Sequence, residues 1–212
     1  MIIYGPSLSP FVRKVLAFAA EKGIEVENVA QHHVDPGFAL ASPFRKIPAL
    51  KDGDFLISDS SAIVAYMEKL KPDPAMLPED PKAYARTVWY DEYADTILAS
   101  ASIPIFFNRI VANMLGRPCD EAVASKAEKE QLPPCIDYLE TVIPASGFLV
   151  EDRITLADIA VGSLFANLEH LGLSPDPKVY PKTAAYAAGI LARPSFSRLV
   201  GAEKAMLSGQ AA

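Results

Sequence analysis

Three short stretches of the 212-residue chain carry hydroxyls, a carboxylate and backbone amides at spacings that small-molecule chemistry could use. The first is Ser9-Pro10, in the turn Gly5-Pro6-Ser7-Leu8-Ser9 that follows the apolar run at residues 1–4. Serine is a favoured helix N-cap and proline a favoured first helical residue, so the dipeptide starts a helix. Capping is one use for that hydroxyl. The other follows from its surroundings, because a hydroxyl beside the unpaired N–H groups of a helix N-terminus can hold an anion, and a thiolate is such an anion. A free thiol has a pKa of about 8.5, and lowering it by two units takes roughly 2.7 kcal/mol of preferential thiolate stabilisation. One charge-assisted hydrogen bond and a helix terminus together are of that size. Ser7 is a rival hydroxyl in the same turn, and the register of Pro10 favours Ser9.

The second stretch is Lys46-Ile47-Pro48-Ala49-Leu50, a proline opening a strand after a loop. An ordinary trans strand start is one reading. A cis bond is the other, and it would present the backbone of Ile47 to an extended, peptide-like ligand that adds on as a strand would. The third is Asp59-Ser60-Ser61-Ala62-Ile63, where Ser60 is the expected N-cap of the next helix. A helix N-terminus with a hydroxyl and an adjacent carboxylate also suits a zwitterion, its N–H groups facing a carboxylate and Asp59 an ammonium. Thr155-Leu156-Ala157-Asp158 fits a capping box with Asp in place of Glu or Gln, and is expected to serve folding of its helix rather than binding.

The elements that must hold these residues read as two kinds. Residues 1–4 form a strand, and 10–22 a helix with Phe11, Val15, Phe18 and Ala19 at helical spacing and Gly23 as its stop. Residues 26–30 are β-like, 31–45 carry turn formers and at most a short helix, and 47–51 and 55–58 form a hairpin signalled by Asp52-Gly53. Residues 60–70 are again helical, with Ile63, Met67 and Leu70 on one face. Prolines 72, 74, 78 and 81 then make an extended linker that neither helix interior nor central strand tolerates. Everything beyond is helical. Ala85, Trp89, Tyr93 and Ile97 form one stripe of a long helix that Pro104 is expected to bend or break, and a second helix over 121–143 is interrupted at Pro133-Pro134. Further helices are expected at 155–171, 182–191 and 195–207. The fold class is thus a small α/β domain, residues 1–76, followed by an all-α domain, residues 77–212.

Composition narrows the function classes. Residues 1–71 hold 8 basic and 8 acidic side chains and residues 72–212 hold 12 and 18, which together give the net charge of −6. No basic stripe exists, so nucleic acid and anionic membrane surfaces are not the expected partners. No signal peptide is apparent at the N-terminus, and the longest apolar runs are short of a bilayer span. Cys119 and Cys135 are the only cysteines and have no Cys-x-x-Cys spacing, so neither a disulfide scaffold nor a metal site is expected, and the cytoplasm is the expected compartment.

Taken together and in order, the Ser-Pro turn at 9–10, Lys-Ile-Pro-Ala-Leu at 46–50, Asp-Ser at 59–60, the proline linker, Thr-Leu-Ala-Asp-Ile at 155–159 and Ala-Arg-Pro at 192–194 resemble the glutathione transferase superfamily. The similarity spans essentially the whole chain and points to the serine type. It implies a thioredoxin-like N-terminal domain that holds glutathione as co-substrate and a helical C-terminal domain that completes a pocket for a small hydrophobic electrophile. It implies that Ser9 donates a hydrogen bond to the glutathione sulfur, that the thiolate attacks an electrophilic carbon, and that Ser9 is never itself a covalent nucleophile. By the same resemblance the backbone of Ile47 before a cis Pro48 pairs with the cysteinyl unit, Asp59 and Ser60 hold the γ-glutamyl end, and Lys46 and His33 touch the tripeptide. Leu8 and Phe11 are the candidates for the electrophile pocket. Tyr90, Tyr93, Phe106 and Phe107 read instead as core. A homodimer is implied, with no metal.

Departures from the family pattern are also present. The turn holds no tyrosine, although Tyr4 precedes it, and no cysteine, which argues against the reductase or thiol-transfer branch. Arg45 replaces the small residue usual before the Lys position. Phe44 stands where some relatives carry an aromatic key for the dimer partner, and also fits as local packing, which is the preferred expectation. Two alternatives share the same motifs: a non-catalytic ligand carrier or interaction protein, and specialised glutathione chemistry such as isomerisation, peroxide reduction, ether cleavage or dehalogenation.

Overall fold

A computed structural model describes residues 1–209. The described residues form two compact units, Met1–Pro78 together with residues 193–209, and Glu79–Ala192. The last helix, which chain order assigns to the all-α domain, therefore belongs to the first unit.

In the first unit the strands are β1 (Ile2–Tyr4), β2 (Glu27–Val29), β3 (Ala49–Asp52) and β4 (Phe55–Ser58), in the sheet order β2-β1-β3-β4. β1 and β2 are parallel, as a right-handed β-helix-β crossover through α1 (Pro10–Lys22) requires. β1 pairs antiparallel with β3, and β3 with β4. Asp52 opposes Phe55, so the hairpin loop is Gly53-Asp54, and Gly53 supplies the left-handed φ of 61°. Alternate residues face opposite sides of the sheet. Tyr4 and Ala49 pack with Phe38 and Ala41 of α2 (Pro36–Ala41), while Ile3 and Leu50, fully buried, look toward α1 and α3 (Ser60–Leu70). The Tyr4 hydroxyl titrates above the usual phenol range, first through burial and then through the Asp35 carboxylate. α1 ends at Gly23, whose left-handed backbone lets its N–H reach the carbonyls of Ala19 and Ala20. The final helix is Pro194–Leu207.

The second unit is built on two long helices and two shorter ones. Pro81–Met114 is one continuous helix (α4), so Pro104 does not break it. Wide π turns at Tyr93–Leu98 and Phe107–Val111 flank the proline, and such turns give up a helical hydrogen bond locally and accommodate a residue that has no N–H. Residues 121–142 (α5) likewise run through Pro133-Pro134. A π turn at Ala127–Gln131 precedes them, so that both prolines sit in the first turn of the following α segment, where their missing N–H groups need no partner. Leu156–His170 (α6) is buried from Leu156 through Leu168 and is apolar nearly all round, the mark of a core helix. α4 packs on it, and Pro181–Leu191 (α7) covers it. The capping box forms as expected. Asp158 accepts from the Thr155 N–H at 2.9 Å and the Thr155 hydroxyl at 3.2 Å, and its other oxygen takes the Leu149 N–H at 2.9 Å. The last helix of the described residues, Pro194–Leu207, is α8.

Candidate active site

The sheet register brings the chemical residues to one edge. Tyr4 opposes Ala49 and Ala49 opposes Ser58. Gly5 beyond Tyr4, Pro48 before Ala49 and Asp59 after Ser58 must then emerge at the same end of three adjacent strands. Two contacts close this end. The Asp59 N–H donates to the Pro48 carbonyl at 3.3 Å, and Gly5 approaches so closely that a Cβ added there would stand 3.0 Å from the Ile47 Cβ and 2.7 Å from Val12 Cγ2. Gly5 also holds a φ of 125°, so both space and backbone restrict this position to glycine. Its N–H and carbonyl are anchored to β2, donating to the Val29 carbonyl and accepting from the Asn28 side-chain amide at 2.8 Å.

From Gly5 the chain makes one turn, with the Ser9 N–H on the Pro6 carbonyl at 3.0 Å, and enters α1. Ser9 is the N-cap by backbone, its carbonyl accepting from the Arg13 N–H at 2.9 Å. Its hydroxyl, however, caps nothing, and among the described residues it has no hydrogen-bond partner. That leaves a half-buried hydroxyl at a helix N-terminus available for a ligand. Ser7 is also half-buried in this turn. The Ile47–Pro48 peptide is cis, and among the described residues neither the N–H nor the carbonyl of Ile47 has a backbone partner.

The third stretch corrects the expected cap. Asp59, not Ser60, is the N-cap of α3, its Oδ1 accepting from the Ser61 N–H at 3.0 Å and the Ala62 N–H at 3.1 Å. Ser60 is already the first helical residue and is buried. Asp59 holds a φ of 88°, a strained value for a residue with a side chain. Two of the helix-start N–H groups are thus taken by Asp59 itself, and its Oδ2 is the oxygen that remains toward a cation. α1 and α3 are joined near these starts by the buried Lys14, whose ammonium donates to the Ser61 hydroxyl at 3.2 Å. Two helix N-termini, one uncapped hydroxyl, one partly engaged carboxylate and an unpaired backbone segment therefore share one end of the sheet. Such a site is arranged for an anion and a zwitterionic, peptide-like ligand.

The remaining candidates are spread more widely. Lys46 is exposed, and its carbonyl accepts the Ser42 hydroxyl at 2.7 Å in a turn where Arg45 takes a φ of 54°. A left-handed backbone of this kind is one that glycine adopts at less cost than arginine. His33 is exposed in a short 3-10 turn, His32–Val34, edge-on to His32. Leu8 is buried and Phe11 is half-buried. Phe44 is 85% exposed, so it does not pack locally. The sequence reading missed Arg13, Lys14 and Lys22, all fully buried on α1. A signal existed for Lys22, which falls four residues after Phe18 and seven after Val15 on the apolar stripe, where a charge must be paired.

Comparison with known proteins gives one answer throughout. Residues 3–75 match the model of the glutathione S-transferase N-terminal domain and residues 106–198 that of the glutathione S-transferase C-terminal domain. The chain is 31% identical over 208 residues to a glutathione S-transferase of Hyoscyamus muticus, covering 94% of this chain and 97% of that protein. It is 32% identical over 212 residues to glutathione S-transferase 3 of Zea mays, covering 94% and 93%. Among solved structures, maize glutathione S-transferase I in complex with an atrazine glutathione conjugate superposes with a TM-score of 0.83 at 25% identity, covering 100% of this chain and 99% of that one.

Proposed function

With the chain a member of the glutathione S-transferase superfamily and a glutathione transferase by function, we propose that Ser9 is the catalytic residue that converts the bound glutathione thiol into a thiolate. The observation that carries this is the Ser9 hydroxyl, which stands at the N-terminus of α1 and is spent on no cap. It donates a hydrogen bond to the sulfur and, with the helix N-terminus, favours the anion. The thiolate then forms a C–S bond with a hydrophobic electrophile as the leaving group departs, and Ser9 takes no covalent part. The Ile47 backbone pairs with the cysteinyl unit as an added strand would. The Ser60 end of α3 faces the γ-glutamyl carboxylate and Asp59 Oδ2 its ammonium. Lys46 and His33 serve the tripeptide's far end, and Leu8 and Phe11 serve the electrophile. The two free cysteines accord with a cytoplasmic setting.

The expected oligomer is a homodimer. Phe44 projects into solvent, and the groove between α4 and α5, about 220 Å³ and lined by Trp89, Tyr93, Ile97, Pro134, Cys135 and Tyr138, offers an aromatic ring of a second copy an apolar seat. The test of the transferase mechanism is ultraviolet thiolate absorbance of protein-bound glutathione from pH 5 to 9, with Ser9→Ala alongside. The expected midpoint lies well below that of the free thiol and returns toward it in the variant. Binding with no thiolate shift in the parent protein would favour a carrier role instead.

A further inference from the structure

Among the described residues the Ser9 hydroxyl makes no hydrogen bond, so no polar partner of its own sets its direction. Where that hydroxyl points is decided by where the first turn of α1 sits. The first turn includes Arg13, whose N–H closes the Ser9 carbonyl at 2.9 Å. The Arg13 side chain is fully buried and runs to α8, where it forms a two-pronged pair with Glu203, Nε to Oε1 at 3.2 Å and Nη2 to Oε2 at 2.7 Å. A fork of this kind fixes direction as well as distance, because two parallel hydrogen bonds between planar groups leave little rotational freedom.

A second fork holds the other end of the same helix. Arg193 reaches Glu21 through Nε to Oε1 and Nη2 to Oε2, both at 2.8 Å, and the Ser195 hydroxyl adds a bond to Oε1. Arg13 meets Glu203 and Glu21 meets Arg193, so α1 and α8 run antiparallel and are fastened at both ends. The two fasteners differ in what they control. Arg13 is one helical turn from Ser9, whereas Glu21 lies eight residues farther, about 12 Å along the helix axis. The near pair is completely buried, and the far one is partly open to water.

We propose that Glu203 is a positioning residue for the thiol-activating hydroxyl: through Arg13 it holds the first turn of α1 so that Ser9 meets the glutathione sulfur. The proposal rests on the assignment of Ser9 above. It also has a competitor with the opposite sign. Arg13 is a buried cation on the turn after Ser9, and if Glu203 acted only to mask that charge, removing the carboxylate would stabilise the thiolate. A displacement of about 1 Å at a catalytic group lowers turnover by as much as 100-fold, so the positional effect is readily measured.

The experiment uses the full-length protein and titrates the thiolate absorbance of bound glutathione in Glu203→Gln, Glu203→Asp, Glu21→Gln and Ser9→Ala. Steady-state kcat and the KM for glutathione are measured with a chlorodinitrobenzene electrophile, and Tm is recorded for each variant. Positioning predicts that Glu203→Gln raises the thiolate midpoint by about half to one pH unit and lowers kcat about tenfold, with KM for glutathione changed less than about twofold. Glu203→Asp, which keeps the charge and shortens the arm, should move the midpoint in the same direction. Glu21→Gln should lower Tm and leave the midpoint in place. A lowered midpoint in Glu203→Gln, or a fall in Tm with midpoint and kcat unchanged, overturns the proposal. If Ser9→Ala shifts the midpoint while both Glu203 variants do not, only the positioning role fails. If Ser9→Ala shifts nothing, the assignment of Ser9 fails and the proposal with it.

Discussion

Replacing Lys22 with methionine tests the energetics that hold the site together, because Lys22 on α1 and Glu68 on α3 join the two helices whose N-termini form it. The Lys22 ammonium is fully buried and uses all three of its donors, on Glu68 Oε2 at 2.6 Å, the Pro74 carbonyl at 2.7 Å and the Pro72 carbonyl at 3.3 Å. The second oxygen of Glu68 takes the N–H groups of Met76 at 3.0 Å and Leu77 at 3.1 Å. One buried pair thus closes α1, α3 and the proline linker into a single network. Lys22→Met leaves the Glu68 carboxylate buried without its cation and two carbonyls without a donor. Breaking a buried pair from one side costs about 3–5 kcal/mol. In a chain of this length each kcal/mol moves Tm by roughly 2–4 °C, so the expected fall is about 6–20 °C. The assay is thermal unfolding followed by near-ultraviolet circular dichroism, with amide exchange at Met76 and Leu77 as a local probe. Lys22→Met/Glu68→Leu adds a sharper condition. An ordinary buried pair can be exchanged for apolar residues at little cost, but here the exchange strands two amides and two carbonyls, at about 1–3 kcal/mol for each group that stays buried. A fall below about 2 °C in the single variant, or recovery of the parent Tm in the double variant, would refute this account of the linker.

Gly5→Ala places a methyl group 2.7 Å from Val12 Cγ2 at a φ of 125°, so we expect loss of more than about 2 kcal/mol and of glutathione binding, measured by thermal melts and calorimetric titration. Normal binding in that variant would show that the turn can move aside. Burial pushes the Asp158 carboxyl up to about 6, against partial relief from the Leu149 and Thr155 donors. Its folded pKa stands above the ordinary 3.8, so its contribution to stability is complete below about pH 4 and is lost as pH rises through about 6. Asp158→Asn, which cannot ionise, should therefore show a flatter Tm than the parent between pH 4 and 7, and equal slopes would count against the assignment. For the homodimer proposed above, Phe44→Ala should shift the parent dimer toward monomer in analytical ultracentrifugation without lowering Tm at matched oligomeric state, since the exposed ring makes no packing of its own; a monomeric parent would refute the dimer, and an unchanged dimer would place the interface elsewhere.

Much of the chemistry was legible along the chain because it depends on local sterics. Ser9-Pro10 starts a helix, Gly23 ends one, Asp52-Gly53 signals a hairpin, and Thr155 with Asp158 makes a capping box, each decided within a few residues by backbone angles and hydrogen-bonding reach. The linker prolines were equally plain. What the sequence left open needed atoms that are distant in the chain. The partner of Arg13 is 190 residues away at Glu203, and in sequence Arg13 and Lys14 look like the solvated face of an amphipathic helix. Only the arrival of α8 and α3 on either side makes them buried charges with partners. The cap of α3 falls to Asp59 rather than Ser60 because Ser60 is already helical while Asp59, at a φ of 88°, sets its carboxylate on the Ser61 and Ala62 N–H groups, and π turns beside Pro104 and before Pro133-Pro134 let both long helices run on. Phe44 is 85% exposed beside a left-handed turn at Arg45, an outcome that residue type alone does not set. Residue types and local angles therefore determined which groups are available for chemistry, and the register of three strands determined that they meet.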